Sequence, residues 1–459
     1  MTMAALAPSR SAQSPAPNPA VPCRPLVLGA HVTPLAFAAL LLVSALTIGC
    51  DRKPVPPAPS ADQPVADDPA AIEALRAAGA VLTAGSDGQI TGLSLASQTD
   101  ISEHLVHLAG LPNLTSATFT GPGITGAGMD NLAKLTQLKR LDLTDSAVSP
   151  DVLEVLKHLQ DLEALFLRRT PVTDESLSAL TGLPKLRALD LRNTNITDAG
   201  MDAVAQIKTL VDVQLEKSKV NDPGVAKLAG LPLRSFNANY CTTVSDASLE
   251  VLGKIGSLES IQLDSTKITD AGMKHVAKLG RLKRLRIRDT DVTGEGFAEI
   301  AGLTNLERLE LRGTSLDDAG LAVIAELPNV KFLDIAECRL ISPEGMKSLG
   351  KLTGLTYLGC WETKLDDDVL EALSGLTALT ELDLKATQIS DDAIPAILRF
   401  QNLENLNVAG TQLTNDAFRE LTKLPKLKKI NVANTSIGYD VIDLLAESNG
   451  GIEVIESGD

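Results

Sequence analysis

Arg286, Arg288 and Arg312 fall close together and are followed by Phe332, Tyr357 and the single tryptophan, Trp361. Arginine, tyrosine and tryptophan supply much of the binding energy at protein interfaces. A guanidinium grips a carboxylate through two parallel bonds, and it also stacks on aromatic rings. Phe166, Arg168, Arg169 and Arg192 repeat the mixture nearer the N-terminus. Aromatic residues make up only 3% of the chain, so their grouping with arginine is informative. These are the main and the secondary candidate contact patches, for a protein or a glycan. No comparable cluster exists for bond-making chemistry. His31, His104, His107, His158 and His275 are scattered. The cysteines, Cys23, Cys50, Cys241, Cys338 and Cys360, lack any CxxC metal spacing. Asp317-Asp318 and Asp366-Asp367-Asp368 stand where helices should begin, and capping accounts for them. No phosphate loop, nucleophile elbow or zinc-protease motif occurs. The sequence therefore reads as a non-enzyme with no catalytic residue, metal or cofactor.

Whether the arginines and aromatics share a surface depends on the elements beneath them. "ITDAGM" stands at Ile196 to Met201 and again at Ile268 to Met273, and "ITGAGM" at Ile124 to Met129. The intervals of 72 residues are three periods of 24, as Leu114, Leu138, Leu162, Leu186 and Leu210 show. From Ile90 there are fifteen units, one of 23 residues and three of 25, then a partial unit at Ile452. In "LRALDLRNT", Leu186, Leu189 and Leu191 point inward, with the in-out alternation of a strand. In "DAGMDAVAQI", Met201, Val204 and Ile207 recur every three residues, as one face of a helix does. The second, third, fifth, seventh and eighth positions of each unit then face outward. Both arginine and aromatic sets fall on them.

The period and the LxxLxL pattern resemble the leucine-rich repeat superfamily from about Ile90 to Ile455. The resemblance implies an α/β solenoid, a horseshoe with a concave parallel sheet and convex helices, in about fifteen repeats of 24 residues. The ninth position, Asn in the commonest family pattern, is here Thr170, Thr194, Thr266, Thr290, Thr314, Thr363, Thr387, Thr411 and Thr435, with Ser146 and Ser218. These side chains are expected to bond backbone groups of neighbouring coils. Cys241 and Cys338 share the position and resemble the cysteine-containing repeats of F-box proteins. They read as buried turn residues, and Cys360 as core. Thr197-Asp198 and Thr269-Asp270 fall at helix starts, where either side chain can accept from the first amides.

The ends complete the organisation. Residues 69–89 form an N-terminal cap of a helix and a hairpin strand turning at Asp87-Gly88, and 90–459 form the solenoid with a C-terminal cap strand. Residues 1–49 read as a signal peptide, with Arg10 and Arg24 ahead of an uncharged apolar run. "LTIGC" resembles the lipobox of bacterial lipoproteins, which makes Cys50 the candidate lipidation site. Residues 50–68 are a proline-rich disordered tether. An uncleaved signal anchor is the alternative. Net charge is −16, which disfavours nucleic acid. The combined expectation is a non-enzymatic binding scaffold, lipid-anchored in a bacterial cell envelope on its periplasmic or surface face. It would recognise a protein or glycan on the concave face. Two alternatives are an intracellular adaptor like the F-box substrate receptors and an enzyme inhibitor like ribonuclease inhibitor.

Overall fold

The computed structural model describes residues 65–457. The leader and Cys50 lie outside the described residues, as does most of the proline-rich segment. From Ile90–Ala96 to Glu453–Ile455, sixteen strands follow one another in parallel, each paired with its predecessor and successor. A further strand, Val81–Ala84, pairs antiparallel with the first and closes that end beside the helix Pro69–Ala77. Corresponding leucines lie side by side: Leu285 pairs with Leu309, and Leu309 with Leu333. The register holds through the 23-residue unit, where Val213 pairs with Phe236, and through a 25-residue unit, where Leu333 pairs with Leu358. Length variation is thus absorbed outside the strands. A one-residue slip within them would turn the core leucines to solvent.

One buried cluster runs the length of the array. It is built mainly from Leu, Ile and Val, with Phe119, Phe236, Phe297, Phe400 and Phe418 fully enclosed. The convex segments are short. Early coils use 3-10 turns such as Ser102–Gly110, Met129–Lys134 and Ser176–Gly182. Later coils use α-helices such as Asp270–Val276, Asp318–Ile324 and Asp367–Leu373. Helices of two turns are not stable alone, so packing against neighbouring coils maintains them.

Most strands contain three residues because the eighth position turns out of the sheet. Asp145, Arg169, Asn193, Lys217, Tyr240, Ser265, Asp289, Glu337, Glu362, Ala386 and Asn434 all have φ between 51° and 61°. Gly121, Gly313 and Gly410 take the same place with positive φ. The expectation of an outward strand residue at position eight is therefore corrected. The chain needs a left-handed residue there to leave the strand, and the stacked coils enforce it on side chains that disfavour it.

The ninth position is corrected as well. Each threonine hydroxyl donates to a carbonyl of its own coil, three residues back: Thr170 to Leu167 at 2.6 Å, Thr290 to Ile287 at 2.7 Å, Thr387 to Leu384 at 2.6 Å. The cysteines make the contact between coils instead. Cys241 Sγ lies 3.3 Å from the Leu215 carbonyl and Cys338 Sγ 3.3 Å from that of Leu311, each in the preceding coil. The thiol reaches farther than a hydroxyl on the same backbone. Burial raises both thiol pKa values above their ordinary range, Cys338 to about 11, so these are unreactive thiols.

The recurring phrase has a letter-by-letter explanation. Ile268 and Met273 are core. Thr269 caps its helix by accepting from the Ala271 amide at 3.3 Å. Asp270 does not cap its own helix. It accepts from the amide and the hydroxyl of Thr293 in the next coil, both at 2.7 Å. The same reach joins Asp174 to Thr197, Asp246 to Thr269, Asp318 to Ser342 and Asp367 to Ser390. Gly272 makes room for this ladder, since a Cβ there would collide with the Asp246 carboxylate and Leu249. The motif recurs because each coil orients the capping residue of the next.

Candidate functional site

The sheet face opposite the core carries positions three, five and seven. Its middle is an ion-pair network. Arg286 and Arg288 both bind Asp264, with nitrogens 2.6 and 2.8 Å from Oδ2. Asp264 is fully buried and also accepts the Arg288 amide at 3.0 Å. Burial raises its pKa above the ordinary carboxylate range despite the pull of Arg288. Glu310, also buried, accepts from Arg284 and Arg308 at 2.7 Å each. Two acids thus tie four arginines together across three strands, and Arg286 and Arg288 are only about 20% exposed. The repeat count places them on this face with Glu310 among them, but it does not single out Asp264 as their partner. Asp264 sits at position seven and Glu310 at position five of different coils, and only the fold sets them against Arg286 and Arg288.

Arg312 is held more loosely, 3.5 Å from Glu337 and 3.8 Å from Asp289. Its guanidinium lies 5.6 Å from the centre of the Trp361 ring, and the Lys385 ammonium is 4.8 Å from the same ring. Both distances suit cation–π attraction. Trp361 Nε1 is buried without a hydrogen-bond acceptor, and Arg312 Nε makes no hydrogen bond but keeps the Glu337 carboxylate at 3.5 Å. A buried donor such as the indole nitrogen costs free energy unless something accepts from it. Ala336 occupies the same seventh position in the coil between Arg312 and Trp361, and it leaves the space over which they approach.

Phe332 and Tyr357 stack with ring centres 3.9 Å apart and planes 4° from parallel. Arg308 covers the other face of Phe332 at 3.4 Å. This column brings Phe332 and Tyr357 onto the face with Trp361. Lys385 was missed at the level of sequence, although it occupies the same seventh position as Arg312 and Trp361 and the period could have found it.

The secondary set is brought together only in part. Phe166 lies under Arg140 at 3.8 Å. Arg192 folds back onto buried Asp190 of its own strand, 2.7 Å away. Arg168 remains, with its Nε buried and lacking an acceptor. Arg169 leaves the sheet face, because it is a left-handed eighth residue (φ 53°) and binds Asp145 of the previous coil.

Among the described residues no group of three or more His, Cys, Asp or Glu side chains could hold a metal ion. None of the described helices is long and apolar enough to cross a membrane.

Comparisons with known proteins agree with this geometry. A family model described as a leucine-rich repeat region matches residues 122–337, and a second, described as a leucine-rich repeat, matches 326–350. No curated protein sequence matches the chain. Among solved structures, a leucine-rich repeat protein of Leptospira interrogans superposes with a TM-score of 0.52 at 20% identity, covering 76% of this chain and 91% of that one. An internalin of Listeria monocytogenes superposes at 0.42 and 20% identity, covering 84% and 94%. At such identity the Leptospira structure speaks for the fold alone. With fifteen coils in one register over a continuous parallel sheet, the chain belongs to the leucine-rich repeat superfamily.

Proposed function

We propose that this protein is a non-enzymatic binding scaffold, lipid-anchored through Cys50 in a bacterial cell envelope, whose concave face recognises an acidic protein partner at Trp361, Arg312 and Lys385. The observation that carries the reading is the buried Trp361 Nε1, a donor without an acceptor, beside a lysine that has no ion pair among the described residues and a loosely held Arg312. A carboxylate from a partner would pair with Lys385 and with the exposed part of the Arg312 guanidinium beside the indole. Support also comes from the fold, since leucine-rich repeat proteins commonly serve as protein-binding scaffolds. The pairing of Arg286 and Arg288 with Asp264 moves the centre of the proposed contact toward Trp361. Net charge of −16 weighs against a nucleic-acid partner.

Two experiments test separate parts. Metabolic palmitate labelling should tag the protein, and Cys50→Ala should abolish the label. An unlabelled wild type, or a labelled mutant, removes the anchor. For the contact, a photo-crosslinker at exposed Ala386 should capture a partner in intact cells, and one at Lys274 on a convex helix should not. Trp361→Ala should then weaken that complex by on the order of 2 kcal/mol or more without altering the fold. Wild-type affinity in this mutant would place the contact elsewhere.

A further inference from the structure

Beyond the Trp361 patch, the last strands of the sheet form a second site of different character. Tyr357 is its wall. Phe332 covers one face of the tyrosine ring, and the strand order places Glu381 on the other side. That second face borders an open depression of about 210 Å³ over Leu382 and Leu406, lined further by Asp383, Asn405, Asn407 and Asn431. The volume is below the ~300–1,000 Å³ of pockets for drug-sized ligands. It suits one ring of a longer ligand lying along the trough.

The polar groups here are of mixed kind and incompletely used. The Asn405 side chain and the Tyr357 hydroxyl make no hydrogen bond among the described residues. Asn431 accepts the Ala433 amide at 3.0 Å through Oδ1, which leaves its Nδ2 hydrogens free. Asp383 accepts the Lys385 amide at 3.0 Å through Oδ1 and a bond from the Asn407 side chain, and a carboxylate has acceptor capacity beyond these two. Burial near Asp334 and Asp383 lifts the tyrosine well above the ordinary phenol range, so its hydroxyl stays a donor at any physiological pH. Lys429, the cation lining the depression, is bound to Glu453 at 3.0 Å. A ligand that satisfies donors and acceptors at short spacing, and offers no charge to Glu381 and Asp383, is a neutral polyol with an apolar face.

We infer that the depression bounded by Tyr357, Asp383, Asn405 and Asn431 is a subsite for a neutral saccharide, with the sugar's C–H face against the tyrosine ring and its hydroxyls on the amides and the carboxylate. A peptide strand is disfavoured there. The amides of Glu381 and Asn405 are already given to the Thr356 and Thr380 carbonyls, and the strands are paired on both sides, so no sheet edge is open.

The test uses the full-length chain with cellotetraose, maltotetraose and chitotetraose, read by saturation-transfer NMR and titration. At least one should bind, with saturation strongest on ring C–H protons. Tyr357→Ala should weaken that binding at least about tenfold, and so should Asn431→Asp. The second substitution keeps the acceptor for the Ala433 amide while replacing the donor by a charged acceptor, and an unchanged urea midpoint in that variant separates recognition from folding. Trp361→Ala should change saccharide affinity less than about threefold. Binding of none of the three sugars, or binding indifferent to both groove substitutions, overturns the inference. Either result leaves the Trp361 contact standing, because crosslinking from Ala386 does not depend on sugar.

Discussion

Leu309→Ala is expected to destabilise the centre of the array by about 2–5 kcal/mol. Leu309 is fully buried and lies between Leu285 and Leu333 in the parallel register. Removing its branched end leaves a cavity that cannot close readily, because backbone ladders on both sides fix the spacing of the coils. The effect should be local, since a long repeat array need not unfold as one unit. Hydrogen exchange should therefore show lost protection in the strands Arg284–Arg286, Arg308–Glu310 and Phe332–Asp334, with much less change near Pro69–Ala77. Replacing exposed Lys274 by alanine should stay within about 0.5 kcal/mol. Unchanged protection around Leu309 would mean that the side chain does not point into the core.

Asp264→Ala should rank next, at about 3 kcal/mol. That is the low end of the range for removing one partner of a buried pair, because Arg286 and Arg288 keep about a fifth of their surface in water. The loss would come from hydrogen bonding more than from charge. Burial raises the Asp264 pKa even against the pull of Arg288, so ionising this carboxyl opposes folding. Asp264→Asn, which can still accept the Arg288 amide, should cost clearly less than Asp264→Ala. The pH dependence has a definite sign. With a folded pKa above the unfolded value of about 3.9, the cost of the charge is present at neutral pH. It disappears as pH falls through the folded pKa toward the unfolded one. Asp222 should behave oppositely. Burial pushes its pKa up, but hydrogen bonds from Ser245 and Ser248 bring it below the ordinary value. Its contribution is present at neutral pH and fades as pH falls through the depressed folded pKa. Urea midpoints of wild type, Asp264→Asn and Asp222→Asn at pH 7 and at about pH 3, below the unfolded carboxylate pKa, would separate the two. Equal stability of Asp264→Ala and wild type would show that the arginines find other partners.

Much of the fold was legible because a solenoid repeats its constraints. A leucine at a fixed interval, carried through fifteen units, sets strand register without reference to distant sequence. The face on which Arg312, Tyr357 and Trp361 meet followed from the same count. Less legible was what each coil does to its neighbour. Asp270 looked like a cap for its own helix, yet it binds Thr293, 23 residues on. The threonine hydroxyls looked able to cross between coils, yet they close their own turns, as Thr290 does on Ile287. A short side chain at a tight turn finds the nearest carbonyl first, and that comparison requires coordinates.

The sequence by itself determined the architecture, the register and the outward identity of positions three, five and seven, because hydrophobic periodicity acts along the chain. Only the tertiary structure decided which outward charges are already spent. Asp264 and Arg286 are 22 residues apart and come within 2.6 Å because the coils stack, and their pairing leaves Arg286 only about 20% exposed. Trp361 keeps an unpaired donor because its neighbours across the sheet are an alanine and a lysine rather than an acid. The left-handed eighth residue was set in the same way. The energy of stacked coils outweighs the local preference of Lys217, Tyr240 or Glu337, and that balance exists only once the coils are in contact.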